Sequence, residues 1–167
     1  MDRKIILHLE AKKYSKKSLA LLSKSFVLKT PNIKSQKTLN ELLNKSRYNY
    51  IFTRLGLNLN STNLKNQTNL KCIVTPTTGL NHIDMDYLKS KNIDVISLKD
   101  ESDFLKQITS TAEHTWALLL NIIRKINNTS QYVKQGYWTR ENLSIDELYG
   151  KKIGIIGFGR LGKIVSG

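Results

Sequence analysis

The stretch that most constrains this chain lies at its end: Lys151-Lys-Ile-Gly-Ile-Ile-Gly-Phe-Gly-Arg-Leu-Gly162. Ile153, Ile155 and Ile156 form a short β-branched run, which predicts a strand over residues 153–156 buried on both faces of a parallel sheet. Gly157, Gly159 and Gly162 follow at the G-x-G-x-x-G spacing, and residues 163–165 predict a continuing helix. Each glycine has a physical reason. The first permits the tight turn, the second lets a pyrophosphate approach the backbone, and the third lets helix pack on strand. The free N–H groups and dipole of the new helix then face negative charge. A dinucleotide fits such a turn; the bland alternative is a glycine-rich turn with no ligand. The acidic residue that would hold an adenosine ribose belongs about 20 residues beyond the glycines. That position is past Gly167, so the 167 residues are expected to be the front part of a longer enzyme, their nucleotide domain only begun.

Upstream, short apolar runs alternate with helical patterns. Strands are expected at residues 4–8, 26–28, 50–52, 72–74 and 95–97. Helices are expected at 15–23, from about Thr38 as the cap, and at 85–91, with a loop or weak helix over 58–69. Such alternation implies an α/β fold, a flavodoxin-like parallel sheet wound on both faces with right-handed crossovers. The expected division is residues 1–99 as this substrate domain and 100–167 as the start of a Rossmann domain.

Ligands of open parallel sheets bind beyond the carboxyl ends of the strands. That singles out Thr53-Arg54 and Thr75-Pro76-Thr77-Thr78-Gly79. The second segment is either an anion-binding loop of small side chains and backbone N–H groups or a plain turn punctuated by Pro76 and Gly79. His82 and Asp84 lack a third ligand at metal-binding spacing, and Asp84 reads more simply as a helix cap. His8, inside the first strand, is taken as structural.

A net charge of +14 invites a nucleic-acid partner. The basic residues are concentrated before Lys71 yet scattered singly or in pairs, such as Lys12-Lys13, without interleaved aromatics, which favours a solvated surface. Cys72 is the single cysteine, so no internal disulfide forms and a reducing cytoplasmic setting is expected. The apolar run at Ile5-Ile6-Leu7 is too short for a signal peptide or a membrane span.

Ser110-Thr111-Ala112-Glu113 reads as a capping box with Ser110 as N-cap. It opens a helix, expected over 110–126, that is apolar around nearly its whole circumference and so needs partners on more than one side, as between domains or in a dimer.

The segments 77–84, 110–116, 136–138 and 148–162, in this order and spacing, resemble the D-isomer-specific 2-hydroxyacid dehydrogenases, the family that includes phosphoglycerate dehydrogenase. The resemblance implies NAD as cofactor, with NADP not excluded, a small 2-hydroxy or 2-oxo acid as substrate, a cleft between two domains and a homodimer, with no membrane or nucleic-acid partner. It assigns the substrate carboxylate to Thr77, Thr78 and Gly79, with Thr77 standing where the family usually has glycine. It assigns the cofactor turn to Gly157, Phe158, Gly159, Arg160, Leu161 and Gly162, with pyrophosphate contacts at Gly159, Arg160 and Leu161 mainly through backbone. The family's catalytic arginine, glutamate and histidine lie downstream of the glycines. No catalytic residue is therefore assigned here, and Arg54, Glu113 and His114 are not promoted in their place. These 167 residues alone are expected to be inactive. A nucleotide-sensing regulatory or scaffold protein of the same fold is the alternative.

Overall fold

The computed structural model describes residues 3–99, 101–138 and 145–167. The chain divides into two compact units, Met1–Ser102 and Asp103–Gly167. The expected domain boundary abuts Asp100, which lies outside the described residues.

In the first unit, β1 (Ile5–His8), β2 (Val27–Lys29), β3 (Tyr50–Phe52), β4 (Cys72–Val74) and β5 (Asp94–Ile96) form one parallel sheet in the order β2-β1-β3-β4-β5. The connections carry α1 (Lys16–Ser25), α2 (Gln36–Lys45), α3 (Ser61–Leu64) and α4 (Met85–Ser90). The chain winds outward to β2 on one side of β1 and to β5 on the other, so the order reverses between β1 and β3, as in flavodoxin-like sheets. The α/β fold expected from the alternation is the one found.

Register explains the core. Side chains alternate between faces of a strand, and pairing aligns Leu7, Ile51 and Ile73 across one face, all completely buried. Leu39 and Leu43 of α2, Leu64 of α3 and Leu88 of α4 join them in one cluster. Burying each such side chain contributes roughly 1.5–3 kcal/mol relative to leaving it exposed. The other face carries Ile6, His8, Tyr50, Phe52 and Cys72, while α1 contributes no buried residue.

Gln67 knits this core to its edges. Its Nε2 donates to the Leu43 and Ser46 carbonyls at 2.6 and 2.7 Å, and its Oε1 accepts from the Tyr48 N–H at 3.0 Å. One buried amide thus satisfies the end of α2 and the approach to β3, where unpaired backbone groups would be costly.

Several local expectations change. The second helix begins at Gln36, capped by Ser35, whose side chain accepts from the Thr38 N–H; Thr38 is inside the helix. The helices α5 (Ser102–Lys106) and α7 (Ile126–Lys134) were not among the expected elements; α5 is five residues long, and α7 has no buried residue. The capping box at Ser110 does not form. Thr109 is the N-cap of α6 (Ser110–Ile123), in helical rather than extended backbone, and its hydroxyl donates to the Glu113 carboxylate. Residues 153–156 are not a strand: no other strand pairs with them among the described residues, and Ile156 is fully exposed. A strand is made by its neighbours, since its N–H and C=O groups must be paired from outside. The helix after the glycines, α8 (Arg160–Ser166), does form, starting earlier than its apolar residues implied.

Candidate functional site

The loop leaving β4 is held from beneath. Thr75 is buried, and its N–H donates to the Ile96 carbonyl at 2.9 Å. The Leu98 N–H donates to the Thr77 carbonyl at 3.1 Å. The Thr77 hydroxyl donates to the Gly79 carbonyl at 2.9 Å and lies 3.0 Å from the Thr75 hydroxyl. Thr78 and Gly79 are exposed, and their N–H groups have no hydrogen-bond partner among the described residues. Two unpaired donors on a loop at the carboxyl end of a central strand are suited to an anion. The sequence singled out the segment from Thr75 to Gly79 but gave the Thr75 hydroxyl no role of its own; its contact with the Thr77 hydroxyl is seen only in the structure.

In the second unit, the three glycines of the turn each have a distinct geometry. Gly157 adopts φ +90, in the left-handed region open to glycine. Gly159 is the extended N-cap of α8, and a Cβ there would meet nothing within 4 Å, so the backbone can be approached closely. At Gly162 a Cβ would fall 2.5 Å from the Gly157 carbonyl oxygen, a distance only glycine allows. The first helical bond runs from the Lys163 N–H to the Gly159 carbonyl at 3.0 Å, leaving the N–H groups of Arg160, Leu161 and Gly162 unclaimed within the helix. Phe158 is exposed at the tip of the turn. The side chain of Arg160 is turned away from any anion role: its Nη1 donates to the Leu105 and Ile108 carbonyls at 3.0 and 3.2 Å, covering the end of α5. Its backbone N–H remains the available contact.

Other polar groups are occupied or enclosed. The Arg54 Nε lies 3.4 Å from the Glu10 carboxylate. His8 is buried between Tyr14 and Phe52 with neither ring nitrogen hydrogen-bonded, and burial holds its pKa below the ordinary histidine value. His82 is likewise buried and unpaired, its pKa lowered for the same reason. Burial pushes the Cys72 thiol up and away from the reactive thiolate. Among the described residues, no three His, Cys, Asp or Glu side chains gather as a metal site, and no helix is long and apolar enough to cross a membrane.

Residues 116–167 match the family model for the NAD binding domain of D-isomer specific 2-hydroxyacid dehydrogenases. The D-3-phosphoglycerate dehydrogenase of Methanocaldococcus jannaschii is 33% identical over 129 residues, which is 77% of this chain and 24% of that protein. The glyoxylate reductase of Pyrococcus furiosus is 28% identical over 123 residues, covering 70% of this chain and 35% of the relative. Among solved structures, a Thermus thermophilus protein superposes with a TM-score of 0.81 at 20% identity, over 97% of this chain and 51% of that one. The D-lactate dehydrogenase of Aquifex aeolicus, complexed with NAD and lactic acid, gives 0.71 at 23% identity, over 97% and 46% of the two chains. The chain therefore spans about half the length of these structures, and its matched part about a quarter to a third of the curated relatives.

Proposed function

Since residues 116–167 belong to the D-isomer specific 2-hydroxyacid dehydrogenase family, we propose that the protein serves NAD-dependent interconversion of a small D-2-hydroxy acid and its 2-oxo acid. The observation that carries this is the glycine turn, where Gly157 takes a positive φ, Gly159 is open and Gly162 touches the Gly157 carbonyl. These features fit a bound dinucleotide. The backbone N–H groups of Arg160 and Leu161, with Gly159 beside them, would hold its pyrophosphate at the positive end of α8. NAD, when bound, supplies the hydride acceptor or donor, and NADP is compatible with the same turn.

The Thr78 and Gly79 N–H groups would hold the substrate carboxylate. No residue is given a proton-transfer role. Glu113 already accepts from Thr109, and Arg54 already faces Glu10. The 167 residues alone are expected neither to turn over substrate nor to bind NADH tightly, because residues 153–156 are exposed and lend the turn no sheet support. Two copies are proposed to associate through α6, where Leu118 and Ile122 are exposed, and the free, buried Cys72 suits a cytoplasmic setting.

The test is amide-resolved NMR of the 167-residue chain titrated with NADH. Shifts centred on Gly159, Arg160 and Leu161 at millimolar cofactor are expected. Unmoved amides in the turn would remove the dinucleotide role.

A further inference from the structure

The hydroxyl contacts around Thr77 have a direction. A threonine hydroxyl has one proton to give and two lone pairs to accept with. The Thr77 proton goes to the Gly79 carbonyl at 2.9 Å, so the 3.0 Å contact between the Thr75 and Thr77 hydroxyls must be donated by Thr75. Thr75 is 2% exposed and is pinned by its own N–H to Ile96. The Thr77 carbonyl is pinned separately by the Leu98 N–H. A directional chain thus runs from the buried end of β4, through two hydroxyls, to the carbonyl of Gly79.

Gly79 is the loop residue with the widest backbone freedom, and a Cβ at its position would meet nothing within 4 Å. Packing therefore does not hold it. Among the described residues, the contact on its carbonyl is the Thr77 hydroxyl, which restrains the Gly79–Leu80 peptide and so limits rotation about the Gly79 backbone that would turn the Gly79 N–H away; the Thr78 N–H shares its peptide with the Thr77 carbonyl and is held by the Leu98 bond. We infer that Thr77 is a positioning residue: its hydroxyl, supplied by Thr75, preorganises the Gly79 N–H beside the Thr78 N–H for the carboxylate of a 2-oxo acid. This rests on the carboxylate role proposed above for the loop. Ordering one glycine in advance spares the ligand the entropy of doing so, a factor of roughly ten in affinity.

The experiment titrates pyruvate into isotope-labelled 167-residue chain, comparing wild type with Thr77→Ser, Thr77→Val and Thr75→Val and following the Thr78 and Gly79 amides. The serine variant keeps the hydroxyl and should bind as wild type does. Thr77→Val should need roughly tenfold more pyruvate and Thr75→Val an intermediate amount. In the absence of ligand, nitrogen relaxation at Gly79 should report the greatest backbone motion in Thr77→Val, an intermediate amount in Thr75→Val and none added in Thr77→Ser. Should Thr77→Val fail to fold, Thr75→Val against Thr77→Ser carries the same comparison. Equal pyruvate affinities in the wild type and both valine variants would overturn the positioning role while leaving the carboxylate loop intact. No pyruvate-dependent shift at Thr78 or Gly79 in wild type would overturn both.

Discussion

Two apolar runs of similar composition meet different fates in this molecule. Cys72-Ile73-Val74 becomes β4, paired on both edges, with Ile73 completely buried. Ile153 to Ile156, just as apolar and β-branched, forms no strand, and its isoleucines stand exposed. The difference lies in what surrounds each run. A parallel strand has no bonds of its own to make; its backbone groups and both its faces are satisfied by neighbours. The first unit provides them and the second, among the described residues, does not. Helices are more autonomous, because their backbone bonds are internal, and α6, α7 and α8 form in the second unit while the strand does not.

The comparison can be broken by substitution. Ile73→Ala should destabilise the sheet unit most, by about 3 kcal/mol, through lost burial and a cavity. Urea denaturation followed by far-UV circular dichroism measures it, and a change below about 1 kcal/mol would mean that the core is not where the register puts it. Gln67→Leu comes next, at about 2 kcal/mol, since it strands the Tyr48 N–H and the carbonyls of Leu43 and Ser46.

Acid should act on the sheet unit through its two buried histidines. Burial depresses the pKa of His8 and His82 in the fold. Below the ordinary histidine value of about 6.5, the unfolded chain therefore binds protons that the folded one refuses. Stability from this source is complete above that pH and is lost as pH falls through it toward the folded values. Denaturation midpoints between neutral and mildly acidic pH should decline, and His8→Leu should flatten the decline. An unchanged slope would remove His8 as a cause. The smallest effect is expected at Ile156→Ser, within about 0.5 kcal/mol, because the side chain has no burial to lose.

The same contrast explains what could be read in advance. All five strands of the sheet were legible because short apolar runs recur along the first unit with helical patterns between most of them, the rhythm of a parallel sheet. The Asp84 cap was legible too, and its side chain accepts from the Tyr87 N–H at 3.0 Å. The cap of the second helix was expected at Thr38, three residues late; Ser35 takes that place, and its hydroxyl accepts from the Thr38 N–H. The apolar run at 153–156 was legible as a strand former, but among the described residues no strand pairs with it, and a strand needs that pairing to form. In the candidate site, the spacing of Gly157, Gly159 and Gly162 carried their backbone geometry, which is a local property. The Thr75 to Thr77 contact and the turning of Arg160 toward Leu105 and Ile108 depend on how separate segments meet, and no local pattern announces them.

The most direct measurement is the NADH titration of the 167-residue chain, read at every assigned amide and accompanied by an assay for 2-oxo acid reduction. The account predicts weak, millimolar binding that moves Gly159, Arg160 and Leu161 first, with no turnover. Binding that leaves this turn unmoved, or micromolar affinity with measurable hydride transfer, would contradict it.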